Sequence, residues 1–285
     1  MSTTADTGSA PLLSVQNLTV QYGGSALGIA GISLELRQGD LVALVGPNGG
    51  GKTSTLRAIA GFPRRDPGSA RCEQLELDGQ SITRLGTRER VKRGLIIVPE
   101  RDKVFAELTV REQLKLAWHT SRSGTLDQRL DEVLQVLPEI KDHMNRRGGY
   151  LSGGQRQMVA LGSALCSHPR VLLIDEVTLG LAPSLVNRMA DILRRLGGQE
   201  MALLIAEQSL GLALDIADRV LVLDAGRVVA SGTPDELRSR PDIADAYLGR
   251  RQAGVDLDET DESGGGAGPG AGTDPAVPDA AKELT

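Results

Sequence analysis

The chain predicts an α/β fold: a mostly parallel sheet, an antiparallel β ribbon flanking it, and a helical insertion in mid-chain. Three observations carry this. Val171 to Ile174, Leu203 to Ala206 and Val220 to Leu223 are short, nearly unbroken apolar runs between helical segments, the pattern of strands buried on both faces of a parallel sheet. Leu13 to Tyr22 and Ile32 to Leu36 instead alternate apolar and polar, as half-buried ribbon strands do. Between Val110 and Ile140 the apolar positions change to helical spacing.

In chain order, residues 1–11 are small and polar and read as a flexible arm, with folding from about Leu12. Gly39-Asp40 turns the ribbon into the apolar run Leu41 to Val45, and Gly46-Pro47-Asn48-Gly49-Gly50-Gly51-Lys52-Thr53 then leads through Ser54 to a helical pattern over Thr55 to Ala60. In the insertion, Leu114, Ala117 and Trp118, then Leu130, Val133, Leu134 and Leu137, share one face. Leu151-Ser152-Gly153-Gly154-Gln155 opens a helix from Gln155 to about Cys166, with Ser152 at the N-cap. Beyond Leu248-Gly249 the chain turns acidic and then Gly/Pro/Ala-rich, too poor in apolar residues to offset ordering entropy, so residues 250–285 read as disordered.

The 285 residues, 40% of them hydrophobic, suffice for a full core. No stretch reaches the roughly 18 apolar residues of a membrane helix, and no signal-peptide pattern opens the chain, which predicts a cytoplasmic location. The net charge of −5 falls entirely in the tail, which holds eight acids against Arg250, Arg251 and Lys282. The body is therefore neutral and offers no global field for nucleic acid. Cys72 and Cys166 lie far apart without metal-type spacing and read as reduced, mostly buried thiols.

The motif at residues 46–53 has the form G-x-x-x-x-G-K-[ST] in the strand-loop-helix context it requires. Its glycines let several backbone N–H groups converge on phosphate oxygens beside the positive end of a helix dipole. Lys52 is placed to reach the terminal phosphates of ATP, and the Thr53 hydroxyl to hold Mg²⁺, a hard ion that keeps most of its waters. Asp175 and Glu176 close a buried strand at its C-terminal end, where ligands of open α/β sheets gather. Asp175 is positioned for the Mg²⁺ shell and Glu176 to orient or deprotonate a water in line with the terminal phosphate. Ser152, Gly153 and Gly154 form a second anion-binding surface at a helix N-terminus, and a dimer lets each subunit close it on the γ-phosphate held by the other subunit's Lys52.

On these motifs, residues 12–249 resemble the ATP-binding subunits of ABC transporters. The resemblance implies a RecA-like P-loop NTPase core carrying the antiparallel ribbon and a helical subdomain at about 101–152, with Val110 to Ile140 facing a membrane partner. It makes Tyr22 the aromatic on which adenine stacks, Leu151 to Gln155 the family signature, and Asp175 and Glu176 the pair after the second phosphate-site strand. The wording is similar to one ATPase subunit of branched-chain amino acid importers: Val98-Pro99-Glu100 with Val104-Phe105 and Leu108-Thr109-Val110, then Gly180-Leu181-Ala182-Pro183, Glu207-Gln208 and Ala246-Tyr247-Leu248-Gly249. The last of these also fits lipopolysaccharide-export ATPases.

The chain departs from the general family pattern where Glu100 replaces a glutamine near the metal, Ala182 an aspartate, Gln208 the switch histidine and Val177 a proline. A glutamine hydrogen-bonds phosphate but supplies no protonated imidazole. These changes suit an asymmetric heterodimer with a second ATPase subunit that carries the standard residues, and a homodimer stays open. The resemblance further implies two membrane permease subunits, an extracellular substrate-binding protein acting indirectly, and a place at the cytoplasmic face of the membrane. Substrates other than branched-chain amino acids, such as amides, urea or lipopolysaccharide, stay open too. A soluble ABC-type ATPase acting on DNA or ribosomes would call for coiled-coil arms, zinc cysteines or tandem cassettes, and a P-loop kinase would leave Leu151 to Gln155 unexplained.

Overall fold

Alternation along the central strands decides how the molecule is layered. In β3 (Leu41–Val45), Leu41, Ala43 and Val45 enter one core while Val42 and Leu44 enter another, and every one of these side chains is buried. A strand with both faces covered has no use for polar residues, which is why its sequence is an unbroken apolar run. The computed structural model describes residues 10–22, 27–62, 69–101, 103–121, 124–198 and 200–243. The expected tail and the Ala246 to Gly249 ending lie outside the described residues, as does the expected arm except for its last two positions.

In chain order the elements are β1 (Leu13–Gln21), β2 (Leu27–Leu36), β3, α1 (Lys52–Ala60), β4 (Ser69–Arg71), β5 (Gln74–Leu77), β6 (Gln80–Ser81), α2 (Thr87–Lys92) and β7 (Leu95–Val98). There follow α3 (Val110–Ser121), α4 (Leu126–Val136), α5 (Gly153–Cys166), β8 (Val171–Asp175), α6 (Pro183–Leu196), β9 (Ala202–Glu207), α7 (Leu210–Ile216), β10 (Arg219–Asp224), β11 (Arg227–Gly232) and α8 (Pro234–Arg238).

One sheet runs β11-β10-β3-β9-β8-β7, parallel throughout except for the β10–β11 hairpin at its edge. The other is antiparallel, in the order β2-β1-β5-β6, with β4 also on β1. The expected ribbon is thus a five-stranded sheet, and it shares a core with α1 and one face of the parallel sheet. On the other face, α5, α6 and α7 share their core with the insertion, through Leu114, Leu130, Val133 and Leu137. Burying a leucine or valine contributes about 1.5–3 kcal/mol, so four such residues dock α3 and α4 firmly.

Several elements start earlier than expected or were not foreseen. β2 begins at Leu27 rather than Ile32, because Gly28, Ala30 and Gly31 break the alternation and Gly31, at φ 69°, introduces a register shift. α5 begins at Gly153 rather than Gln155: Ser152 accepts the Gln155 N–H and Gln155 Oε1 accepts the Ser152 N–H, a capping box that sets the first turn. Strands β7 and β11 were not expected at all. Cys72 corrects the reading of two mostly buried thiols: it is half-buried, its thiol donating to the Gln16 and Gln74 carbonyls, whereas Cys166 is fully buried and its thiol is pushed up to about 12 by burial.

Candidate active site

The sheet order places three strand ends side by side. Val45 of β3 lies beside Glu207 of β9, and Ala206 beside Asp175 of β8, so the phosphate loop, Gln208 and the Asp175-Glu176 pair emerge from neighbouring C-terminal ends. The loop runs from Gly46 to Gly51 and enters α1 directly at Lys52. Gly51 has φ 105°, a conformation that L side chains rarely adopt, and a Cβ on Gly46 would stand 2.1 Å from the Leu223 carbonyl oxygen. The β10–β11 turn braces the loop from behind, with the Gly226 N–H donating to the Gly50 carbonyl at 3.2 Å. That brace has no local signal in the sequence.

Lys52 is 4% exposed. Its ammonium donates to the carbonyls of Gly46 at 2.8 Å and Pro47 at 3.2 Å, and it pairs with Glu176 Oε1 at 3.4 Å. Thr53 Oγ1 donates to Asp175 Oδ1 at 3.0 Å. The other Asp175 oxygen, Oδ2, is buried without a hydrogen-bond partner, and burial, more than the neighbouring Glu176 and Glu100 charges, pushes the carboxyl up to about 6. A buried carboxylate oxygen with nothing to satisfy it, beside a hydroxyl, suits a hard divalent cation. Among the described residues no group of three or more His, Cys, Asp or Glu forms a metal cage, which is the usual situation for an ion held largely by phosphates and water.

Glu176 adopts φ 48°, a left-handed conformation costing a non-glycine residue on the order of 1 kcal/mol. Its backbone N–H is held by the Ala206 carbonyl at 2.9 Å, and its side chain reaches back towards Lys52. Gln208 Nε2 donates to Glu176 Oε2 at 3.1 Å and to Asn48 Oδ1 at 2.8 Å. Glu207, buried and pushed up to about 7 by desolvation, accepts the Thr178 hydroxyl at 2.9 Å and the Thr178 N–H at 3.3 Å.

Lys52, Thr53, Glu176 and Gln208 line a cleft of about 580 Å³ that also takes in Tyr22, Gly28, Ser54, Glu100 and the exposed Leu179. The Tyr22 hydroxyl is hydrogen-bonded to Ser54 and its ring lies against Gly28. Glu100 accepts from Arg101 at 3.1 Å. Lys103, half-buried and bonded to Gln157, faces the Glu100 and Asp175 charges. It went unnoticed in the sequence because nothing local marks a lysine three residues after Glu100 as part of the site.

The structure does not bring Leu151 to Gln155 into this cleft. Leu151 is buried, whereas Ser152 and Gly153 are exposed, and a Cβ at Gly153 would meet nothing within 4 Å. Beside them, Gln155 Nε2 contacts His143 Nε2 at 3.0 Å, another link the spacing did not reveal.

The family model described as ABC transporter matches residues 29–179, a span that holds the phosphate loop, the exposed turn and both strand-end carboxylates. The chain belongs to the ABC transporter family. This ABC transporter ATP-binding subunit is 34% identical over 238 residues to the high-affinity branched-chain amino acid transport ATP-binding protein BraG of Pseudomonas aeruginosa, covering 84% of this chain and 100% of that one. It is 29% identical to the lipopolysaccharide export system ATP-binding protein LptB of Haemophilus influenzae, covering 84% and 98%. Among solved structures, the ADP conformation of MJ1267, an ATP-binding cassette of an ABC transporter, superimposes with a TM-score of 0.71 at 24% identity, covering 85% of this chain and all of that one. The ABC cassette is an ATPase, binding nucleotide and hydrolysing ATP to power transport. Among its described residues no helix is long and apolar enough to cross a membrane.

Proposed function

We propose that this chain is the ATPase subunit of an importer for branched-chain or related amino acids, working at the cytoplasmic face of the membrane as one half of an ATPase dimer. Support for the substrate class comes from the similarity to the Pseudomonas protein together with the Pro99-Glu100, Gly180 to Pro183 and Glu207-Gln208 segments. The observation that carries the dimer is the Ser152-Gly153-Gly154 turn, which lies outside the cleft formed by its own phosphate loop and has Ser152 and Gly153 exposed. A surface of open backbone N–H groups at a helix N-terminus is an anion site awaiting a phosphate from another protomer.

In this reading the N–H groups of Gly46 to Thr53 and the Lys52 ammonium bind the triphosphate, Ser54 extends the loop, and Tyr22 offers its ring to adenine. Lys52 exchanges its bonds to Gly46, Pro47 and Glu176 for phosphate oxygens, which frees Glu176 to orient and deprotonate the attacking water. Gln208 fixes the Glu176 carboxylate with one N–H and exchanges its bond to Asn48 to present the other towards the γ-phosphate. Thr53, Asp175 and Glu100 would hold Mg²⁺, which supplies charge neutralisation across the phosphates when bound. Glu100 is a carboxylate where the family uses a neutral amide, and the Lys103 and Arg101 cations offset its charge.

Two permease subunits dock on the insertion side, with the substrate-binding protein acting through them from outside. Phe105 and Tyr150 support this face: they are 62% and 76% exposed, on segments joined by the Gly149 N–H to Ala106 carbonyl bond at 3.0 Å. Exposed aromatics of this kind suit a partner surface. Affinity capture from solubilised membranes tests the proposal. Co-purified permeases, whose ATPase rate rises when a binding protein loaded with a branched-chain amino acid is added, support it; co-purified ribosomes or DNA, or stimulation only by lipid export substrate, refute it.

A further inference from the structure

Glu207 closes β9 as a carboxylate 3% exposed, with both oxygens occupied by one residue: Oε2 takes the Thr178 hydroxyl and Oε1 the Thr178 N–H. Thr178 stands two residues after Glu176, whose backbone is held in the left-handed region. Gln208, the next residue after Glu207, grips the Glu176 side chain at the same time. The end of β9 therefore holds the strained turn from both sides, at the carboxylate of Glu176 and at the peptide beyond it. A left-handed glutamate persists only where its surroundings over-determine it. The buried carboxylate is itself costly to keep, since desolvation outweighs the Thr178 hydrogen bonds and the Lys52 charge that favour it, which points to a role other than stability.

We infer that Glu207 is a positioning residue: by gripping Thr178 it holds the Glu176 turn in the geometry that aims the base. The inference rests on the proposed role of Glu176. A glutamine at 207 tests it closely, because a carboxamide has one acceptor oxygen and would turn its NH₂ towards one of the two Thr178 donors.

The experiment is steady-state ATP hydrolysis by the full chain with its co-purifying partners, for Glu207→Gln, Thr178→Val, Thr178→Ser, the Glu207→Gln/Thr178→Val double variant and Glu176→Gln in parallel. Expected are a kcat lower by roughly 10- to 100-fold in Glu207→Gln and Thr178→Val, with KM for ATP within about twofold of the unaltered protein. The double variant should be no slower than the slower single one, as for two ends of one contact, and Thr178→Ser, which keeps the hydroxyl, should retain full kcat. Normal kcat in Glu207→Gln and Thr178→Val while Glu176→Gln is inactive would overturn the positioning role alone. Unchanged turnover in Glu176→Gln would overturn the underlying reading and this inference with it. Equal loss in Thr178→Ser and Thr178→Val would also overturn it, since the hydroxyl would then not matter.

Discussion

Gln208 and Glu176 are joined side chain to side chain, the Gln208 amide donating at 3.1 Å to one carboxylate oxygen while Lys52 faces the other at 3.4 Å. In the proposed function Gln208 does, without a charge of its own, the orienting work of the switch histidine in the general family pattern. Gln208→Ala should lower kcat by roughly 10- to 100-fold with little change in KM for ATP. Gln208→His should retain activity but add a titration near the usual histidine value of about 6.5 to the rate profile, where the unaltered protein has none from this position.

Lys52 is the cation that Glu176, 7% exposed, depends on. Lys52→Ala should weaken ATP binding at least 100-fold and also lower the apo melting temperature, because a buried carboxylate left unpaired costs about 3 kcal/mol. Adding Glu176→Gln to that variant should recover the melting temperature and leave ATP affinity lost. Calorimetric melting and titration of the two variants check both halves.

Asp175 ties stability to pH. Its carboxyl is raised from 3.8 to about 6 in the folded chain, so between those values the native state holds a proton that the unfolded state has released. The contribution of this group to stability is thus full below about 3.8, falls as pH rises, and is lost above about 6. Asp175→Asn removes the penalty: denaturant unfolding without metal or nucleotide should show the variant more stable by on the order of 2 kcal/mol near neutral pH, the gap narrowing towards acid. Hydrolysis should be lost in the same variant.

Gly153 has open space around it in its own chain, so a side chain placed there would meet only what approaches from outside. Gly153→Asp places an acid in the first turn of α5, which favours the helix by about 0.3–1 kcal/mol, yet repels an incoming phosphate. A melting temperature no lower than that of the unaltered protein and an unaltered single-site ATP affinity, with hydrolysis reduced at least tenfold, are the expected results.

What could be read from the sequence was whatever local spacing determines. Gly46 to Thr53 carries its pattern within eight consecutive residues between a strand and a helix, and Leu41 to Val45 is apolar because both its faces are covered, so the placement of both was legible. The Ser152 cap was legible for the same reason, its partner Gln155 being three residues away. The left-handed turn at Glu176 was not, since glutamate carries no preference for it and contacts made by Ala206, Gln208 and Glu207 impose it. Lys103 on Gln157 and Gly226 behind Gly50 join residues far apart in sequence, and only the assembled sheet brings them together. β2 was misjudged at its start because Gly28 and Gly31 supply no side chains to show which face is buried.

The central claim is that ATP is closed between two protomers, each lending its Ser152-Gly153-Gly154 turn to the other's triphosphate. Light scattering on the Glu176→Gln chain, together with any ATPase subunit that co-purifies with it, measures this most directly. Mg-ATP should convert it from single protomers to dimers, and adding Gly153→Asp should return it to single protomers that still bind ATP. A Glu176→Gln protein that binds ATP and remains a single protomer, or a dimer indifferent to Gly153→Asp, would contradict the account.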